Sequence, residues 1–259
     1  MRRWTKLTIA VFLIPLCLGA SQALFWVLHE SGRTDPAPAT SLAAPPQPTP
    51  LPVTPEPATD PDPDPDRPTL TARPSYTWVP LLAGAACWLV IYVMLPRPMW
   101  VYVFGHELTH VIAAWVFESR VKRFRVSSRG GHVLLSDVNF IITLAPYFVP
   151  LYALCIALLY GVAQWLFDSP PLRVWFLLFL GAAYAFHVTL TGHALQTEQT
   201  DITSQGWFFS IVIIWLGNLA VLIPGLAVLL DVPLPDTLRE LLWSTWSVWR
   251  LLGRIIGLG

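Results

Sequence analysis

The chain has 259 residues, of which 54% are hydrophobic and only 12% are charged, and its mean hydropathy is +0.55. This composition excludes an ordinary soluble domain and predicts an integral protein of the lipid bilayer. The formal net charge is zero. The basic excess of a nucleic-acid-binding protein is therefore missing, and we expect no nucleic-acid partner.

The first 32 residues have the features of a membrane-targeting segment. Three cations at residues 2–6 precede an apolar stretch at 7–28 that is long enough to cross a bilayer. We predict an uncleaved signal anchor over residues 1–32, and the alternative is a signal peptide cut after Ala23. Under both interpretations the cations stay in the cytoplasm and the next segment is extracytoplasmic.

Residues 33–75 have the composition of a linker. They hold more than half of the 25 prolines, including the alternating Asp-Pro run from Asp60 to Asp66. Such a segment has no apolar core to bury, so we predict a disordered, extended and acidic spacer.

The membrane core is predicted at residues 76–235 and begins with a span at 78–95. Pro96-Arg97-Pro98 ends that span, and a second apolar helix is predicted at 99–117. Within this motif helix lies His106-Glu107-Leu108-Thr109-His110, which is the HExxH pattern.

The HExxH pattern places three chemically active side chains on one helix. Positions four residues apart share a helix face, so the imidazoles of His106 and His110 can bind one metal ion. Glu107 can hold or deprotonate a metal-bound water. Unpaired polar groups are costly at membrane depth, so the pattern favours a zinc site over three structural side chains.

A short β-hairpin is predicted after the motif helix. Residues 122–126 alternate, Gly130-Gly131 is typical of a turn, and residues 132–135 are apolar again. Further spans are predicted at 138–167, 172–190 and 207–230, with Pro146 and Pro150 interrupting the first. The predicted fold class is a mainly α membrane protein, a polytopic helical bundle of about five to six transmembrane helices with one hairpin.

The C-terminal segment at 236–259 has two distinct helix faces. Its apolar face carries Leu238, Leu241, Leu242, Trp246, Trp249 and Ile256, and its basic face carries Arg239, Arg250 and Arg254. This pattern predicts an amphipathic helix that lies in the membrane interface and does not cross the bilayer.

A catalytic zinc site usually has a third protein ligand. The candidates after the motif are His132, His187, His193, Glu198 and Asp201. Two spans after the hairpin return the chain to the hairpin side, so Asp201 can approach the motif helix there. Asp201 also lies near a predicted helix start, where a carboxylate is favoured. His132 and Asn139 are candidates to donate hydrogen bonds near a substrate.

The HExxH helix, the hairpin and a distant Asp before a later span resemble the site-2 protease group of intramembrane metalloproteases, peptidase family M50. The resemblance covers about residues 78–230. It implies that His106, His110 and Asp201 bind Zn²⁺ and that Glu107 activates the attacking water. In the family the later Asp is usually followed by Gly. Here Ile202 follows Asp201, so the chain looks like a divergent branch.

The resemblance implies a zinc-dependent intramembrane endopeptidase that hydrolyses peptide bonds of membrane-anchored protein substrates. One alternative is a catalytically inactive M50-like scaffold or regulator, and another is a metal transporter. A transporter would distribute polar residues over several spans, whereas here they gather around one helix and one turn. A bacterial inner membrane fits the chain best.

The positive-inside rule gives two conflicting orientations. The N-terminal cations place the linker outside, and counting spans from there puts the hairpin outside as well. The hairpin itself carries five cations, which the same rule places in the cytoplasm: Arg120, Lys122, Arg123, Arg125 and Arg129.

Overall fold

The computed structural model describes residues 2–31, 78–127, 130–167 and 170–257. These ranges are mostly helical. The helices are α1 (Arg3–Glu30), α2 (Trp78–Met94), α3 (Met99–Val116), α4 (Phe140–Leu144), α5 (Leu151–Phe167), α6 (Pro170–Ala194), α7 (Thr200–Gln205), α8 (Trp207–Leu229) and α9 (Leu234–Ile255), with a 3-10 turn at Ala145–Tyr147. The predicted linker at 33–75 lies outside the described residues.

Three helical segments are long and apolar enough to cross a membrane. They are α1, Leu172–Ala194 within α6, and α8. A fourth span results if the bent pair Phe140–Tyr147 and Leu151–Phe167 counts as one. These segments are consistent with the predicted membrane protein, and the larger number of about five to six spans stays a prediction.

The predicted interruption at Pro146 and Pro150 is a real break in the helix. The segments before and after it meet at 78°. A proline has no backbone N–H, so it ends the hydrogen-bonded ladder of a helix and lets the chain change direction. The break brings the short helix α4 and the 3-10 turn against the side of α3.

α2 and α6 run side by side in the same direction at close range. A Cβ at Gly84 would collide with the backbone of Leu178, and a Cβ at Gly181 would collide with the backbone of Leu81. Small residues at such contacts let two backbones approach, as is common between membrane helices. Further along, the Trp88 indole N–H donates to the Thr189 hydroxyl at 2.8 Å.

α1 packs between α8 and α9. Ala10 contacts the start of α8, and Val27 belongs to a cluster that includes Ala227 near the end of α8, so these helices run parallel. α9 runs in the opposite direction along α1. Its Trp249 ring lies 6.3 Å from that of Phe12, while Thr245 lies against Gly19.

The predicted hairpin is confirmed, but the assignment of Gly130 and Gly131 to its turn is wrong, because both lie in the second strand and pair with Ser127 and Val126. Strand β1 (Val121–Ser127) pairs antiparallel with β2 (Gly130–Leu135), with an irregularity between Val121 and Arg123. The hairpin folds back over α3, and the Phe124 ring contacts the Phe104 ring edge to face, with the ring centroids 6.2 Å apart. The sheet therefore lies beside the motif helix and forms one wall of the cavity described next.

Candidate metal site

The two motif histidines share one face of α3, as their spacing predicts. The ring centroids of His106 and His110 lie 5.0 Å apart, one helical turn from each other. Nothing in Met99–Val116 interrupts the helix, since prolines stand before it and not within it. α3 therefore holds both imidazoles at a fixed spacing.

Asp201 reaches both imidazoles from the short helix α7. Its Oδ2 atom lies 3.5 Å from His106 Nε2 and 3.4 Å from His110 Nε2. One ligand atom from each of the three residues lies within 4.8 Å of the other two. The expected approach of Asp201 to the motif helix is thus confirmed.

The spacing of these atoms fits a metal ion. Ligands about 2.0–2.1 Å from a tetrahedral zinc lie about 3.4 Å from one another. Both distances from Asp201 Oδ2 match that value. Two imidazole nitrogens and one carboxylate oxygen can therefore hold a divalent cation and leave one coordination position open.

The His110 ring is held in the orientation that a ligand needs. Its Nδ1–H donates to the Ile142 carbonyl at 2.8 Å, which fixes the ring with Nε2 directed at Asp201 and reserves Nε2 as the ligand atom when a metal binds. Asn139 supports this contact indirectly. Its Oδ1 accepts from the Ile142 N–H at 2.8 Å and so caps the start of α4.

Tyr147 is a site residue that the sequence analysis missed. It is 1% exposed, and its hydroxyl donates to Asp201 Oδ2 at 3.2 Å, with Gln199 Oε1 as a second acceptor within reach at 3.4 Å. Its ring stands perpendicular to the His106 ring at 5.2 Å. The only sequence signal is its position directly after Pro146, inside the helix break.

The charge of Asp201 is maintained by its neighbours. Burial alone would raise the pKa of this carboxyl, but hydrogen bonds to His106 and His110 outweigh burial and hold the pKa well below its usual range. The residue is thus ionised at neutral pH and available as a ligand.

Glu107 lies in the same cavity as the three ligand candidates. The cavity has a volume of about 720 Å³, and β2 forms part of its wall. Glu107 is 8% exposed, and its carboxylate lies against the backbone of Gly131. A Cβ on Gly131 would stand 2.6 Å from Glu107 Oε1, so this position tolerates no side chain without moving the carboxylate.

The other candidates take different places. His132 and His193 line the large cavity, and His193 Nε2 lies 3.5 Å from Arg97 Nη1. His187 is 8% exposed and lines a second, smaller cavity on another side of His106. None of these three histidines belongs to the group that converges around Asp201 within the described ranges.

Comparison with protein-family models, curated proteins and solved structures finds no match for this chain. The resemblance to peptidase family M50 therefore stays a prediction that depends on the motif, the hairpin and Asp201.

Proposed function

We propose that the protein is a zinc-dependent intramembrane endopeptidase that hydrolyses peptide bonds of membrane-anchored proteins. The observation that carries the proposal is the convergence of His106, His110 and Asp201 in one cavity with Glu107. Two imidazoles, a carboxylate and a second, separate carboxylate form the set that zinc peptidases require.

The identity of the metal is inferred from the ligand atoms. Two imidazole nitrogens that lie 3.5 and 3.4 Å from one carboxylate oxygen suit Zn²⁺, whereas Mg²⁺ and Ca²⁺ prefer six or more oxygens. When bound, the metal supplies Lewis-acid chemistry, lowering the pKa of a water and polarising the scissile carbonyl. The open fourth position is what this chemistry needs.

Glu107 is the proposed general base and acid. Its carboxylate takes a proton from the attacking water and passes it to the nitrogen of the leaving amine. The backbone of Gly131 restricts where that carboxylate can lie, so the hairpin orients the catalytic group. The low exposure of Glu107 keeps bulk water away from the proton transfer.

The substrate is proposed to be an extended polypeptide. In β2, every residue from Gly130 to Leu135 except Leu134 lines the cavity, and the sheet consists of two strands in the described part of the chain. An unwound substrate segment can add to such a strand through backbone hydrogen bonds, which would direct a peptide bond toward the metal site.

The test compares the full-length protein with Glu107→Gln, purified in detergent. Zinc content and cleavage of a membrane-anchored reporter are both measured. We expect Glu107→Gln to keep its zinc and to lose cleavage by about 10²-fold or more, since it removes the general base. Glu118→Gln, an exposed carboxylate just beyond the same helix, is the matched control.

Three results would contradict the proposal in different ways. Unchanged cleavage by Glu107→Gln would remove Glu107 from the mechanism. Zinc without cleavage in the wild type would favour the inactive scaffold. A wild type that binds no metal would end the enzyme proposal.

A further inference from the structure

The three ligand candidates differ in the hydrogen bonds that hold their side chains in place. Asp201 accepts a hydrogen bond from Tyr147, and His110 donates through Nδ1 to the Ile142 carbonyl. His106 Nδ1 is buried and has no hydrogen-bond partner among the described residues. Metal-binding histidines almost always donate their other ring N–H to a partner that fixes the ring.

A small cavity lies beside His106 and is separate from the large cavity that holds Glu107. Its volume is about 20 Å³, and its wall includes His106, Thr109, Tyr152 and His187. A polar cavity of at least about 10–15 Å³ can hold one water. The wall is mostly apolar, but it includes the imidazoles of His106 and His187 and the Thr109 hydroxyl, which can supply the two to four polar partners that such a water needs.

His187 is the buried polar side chain of this wall that has no other assigned role. It comes from α6 and is 8% exposed. The Thr109 hydroxyl already donates to the Gly105 carbonyl at 2.7 Å, so its oxygen remains able to accept. Both groups can accept from a water that itself accepts from His106.

We propose that His187 is a positioning residue that holds His106 in its metal-binding orientation through one water in this cavity. His106 Nδ1–H donates to the water, and the water donates to a ring nitrogen of His187 and to the Thr109 hydroxyl. This assigns His187 to the second coordination sphere and not to the ligands. The inference rests on the metal site of the proposed function, but not on peptidase activity.

The test measures zinc affinity of the full-length protein by competition with a chelator. His187→Leu removes the water's partner and is expected to weaken zinc binding by about 10- to 100-fold. His187→Gln keeps a hydrogen-bonding group and is expected to recover most of the affinity. Thr191→Val is the control, because Thr191 is buried one turn further along α6 and lies outside this cavity.

Thermal stability of the metal-free variants separates positioning from folding. The proposal expects His187→Leu and His187→Gln to have similar metal-free stability and different zinc affinity. Wild-type affinity in His187→Leu would overturn it, as would equal losses of affinity and stability in both variants. Zinc binding without cleavage in the wild type would end the peptidase proposal alone. Absence of metal binding would end both.

Discussion

Buried charge is the dominant feature of the site at the scale of single residues. Glu107 is 8% exposed, and Asp201 is partly buried beside two imidazoles. Two carboxylates in one cavity repel each other, and each loses hydration energy on burial. A divalent cation would offset both negative charges, which is the electrostatic reason to expect a metal here.

A substitution at Gly131 tests whether the hairpin sets the position of the Glu107 carboxylate. We expect Gly131→Ala to retain zinc and to lower reporter cleavage by about 10- to 100-fold, because small displacements of a catalytic group are costly. Cleavage rate and bound zinc are measured in parallel. Gly161→Ala, where a Cβ meets nothing within 4 Å, is the control. Cleavage at the wild-type rate by Gly131→Ala would mean that the contact does not orient the carboxylate.

At the scale of elements, the site depends on short segments between long helices. α7 has six residues, and it carries Asp201 in its first turn. Gly206 joins α7 to α8 with φ 93° and ψ 130°, a backbone conformation that favours glycine. The position of Asp201, the third ligand candidate, therefore depends on this turn and on the hydrogen bond from Tyr147.

Gly206→Ala is predicted to weaken metal binding without touching any ligand. The strain of a Cβ at this φ is about 1–3 kcal/mol, and relief of that strain would shift α7. If the shift costs the same free energy in binding, the zinc dissociation constant rises by about 5- to 150-fold. Chelator competition measures it, with the exposed Gly225→Ala within α8 as control. An unchanged dissociation constant would show that α7 is held by its other contacts.

At the scale of the whole molecule, charge is distributed unevenly between the two ends. Lys6 Nζ donates to Gln205 Oε1 at 2.8 Å, so the basic start of α1 lies at the end that carries α7 and the site. α9 runs antiparallel to α1, which brings Arg250 and Arg254 to this same end. Asp231 and Arg173 pair at the opposite end, at 3.9 Å.

α9 packs along α1, which raises a crossing as an alternative to the interfacial position predicted from sequence, although α9 is not among the described helices that are long and apolar enough to cross a membrane. A helix of 22 residues is about 33 Å long, and α9 follows α1, which is long and apolar enough to span. Thr237 and Ser244 are buried, whereas Leu238 and Leu242 are exposed. Buried hydroxyl-bearing residues and an outward apolar face suit lipid contact in either position, and the side of the membrane on which the C-terminus lies separates the two.

We predict that the site, the hairpin and the C-terminus all face the cytoplasm. Topology reporters at residue 128, in the α8–α9 turn at 231–233 and at the C-terminus measure this in the full chain. The first and third are expected in the cytoplasm, and the second outside, because cations collect on the cytoplasmic side. A C-terminus on the same side as the α8–α9 turn would contradict a crossing by α9 and favour the interfacial helix.

The position of the hairpin bears on the conflict between the two basic segments. Counting α3 as a full crossing placed the hairpin beyond its far end. The hairpin instead folds back along α3, where Phe124 meets Phe104 and Gly131 meets Glu107. Span counting from sequence cannot detect this, because it assigns each apolar helix one complete passage.

Local pattern determined much of this protein without the structure. Hydrophobic run length predicts the long helices, and alternation with turn residues predicts the hairpin. Proline chemistry predicts the break at Pro146, and the 3.6-residue period predicts the shared face of His106 and His110. These features depend on neighbours in sequence, so the sequence alone predicts them.

Only the tertiary structure decided how distant segments meet. Asp201 lies about 90 residues from the motif, a separation for which local periodicity carries no information. Packing of α7 on α3 brings Asp201 to His106 and His110 and within reach of the Tyr147 hydroxyl. Packing of the hairpin on α3 brings Gly131 into contact with Glu107. The sequence determined which groups can do the chemistry, and the packing decided which of them come within reach of one metal ion.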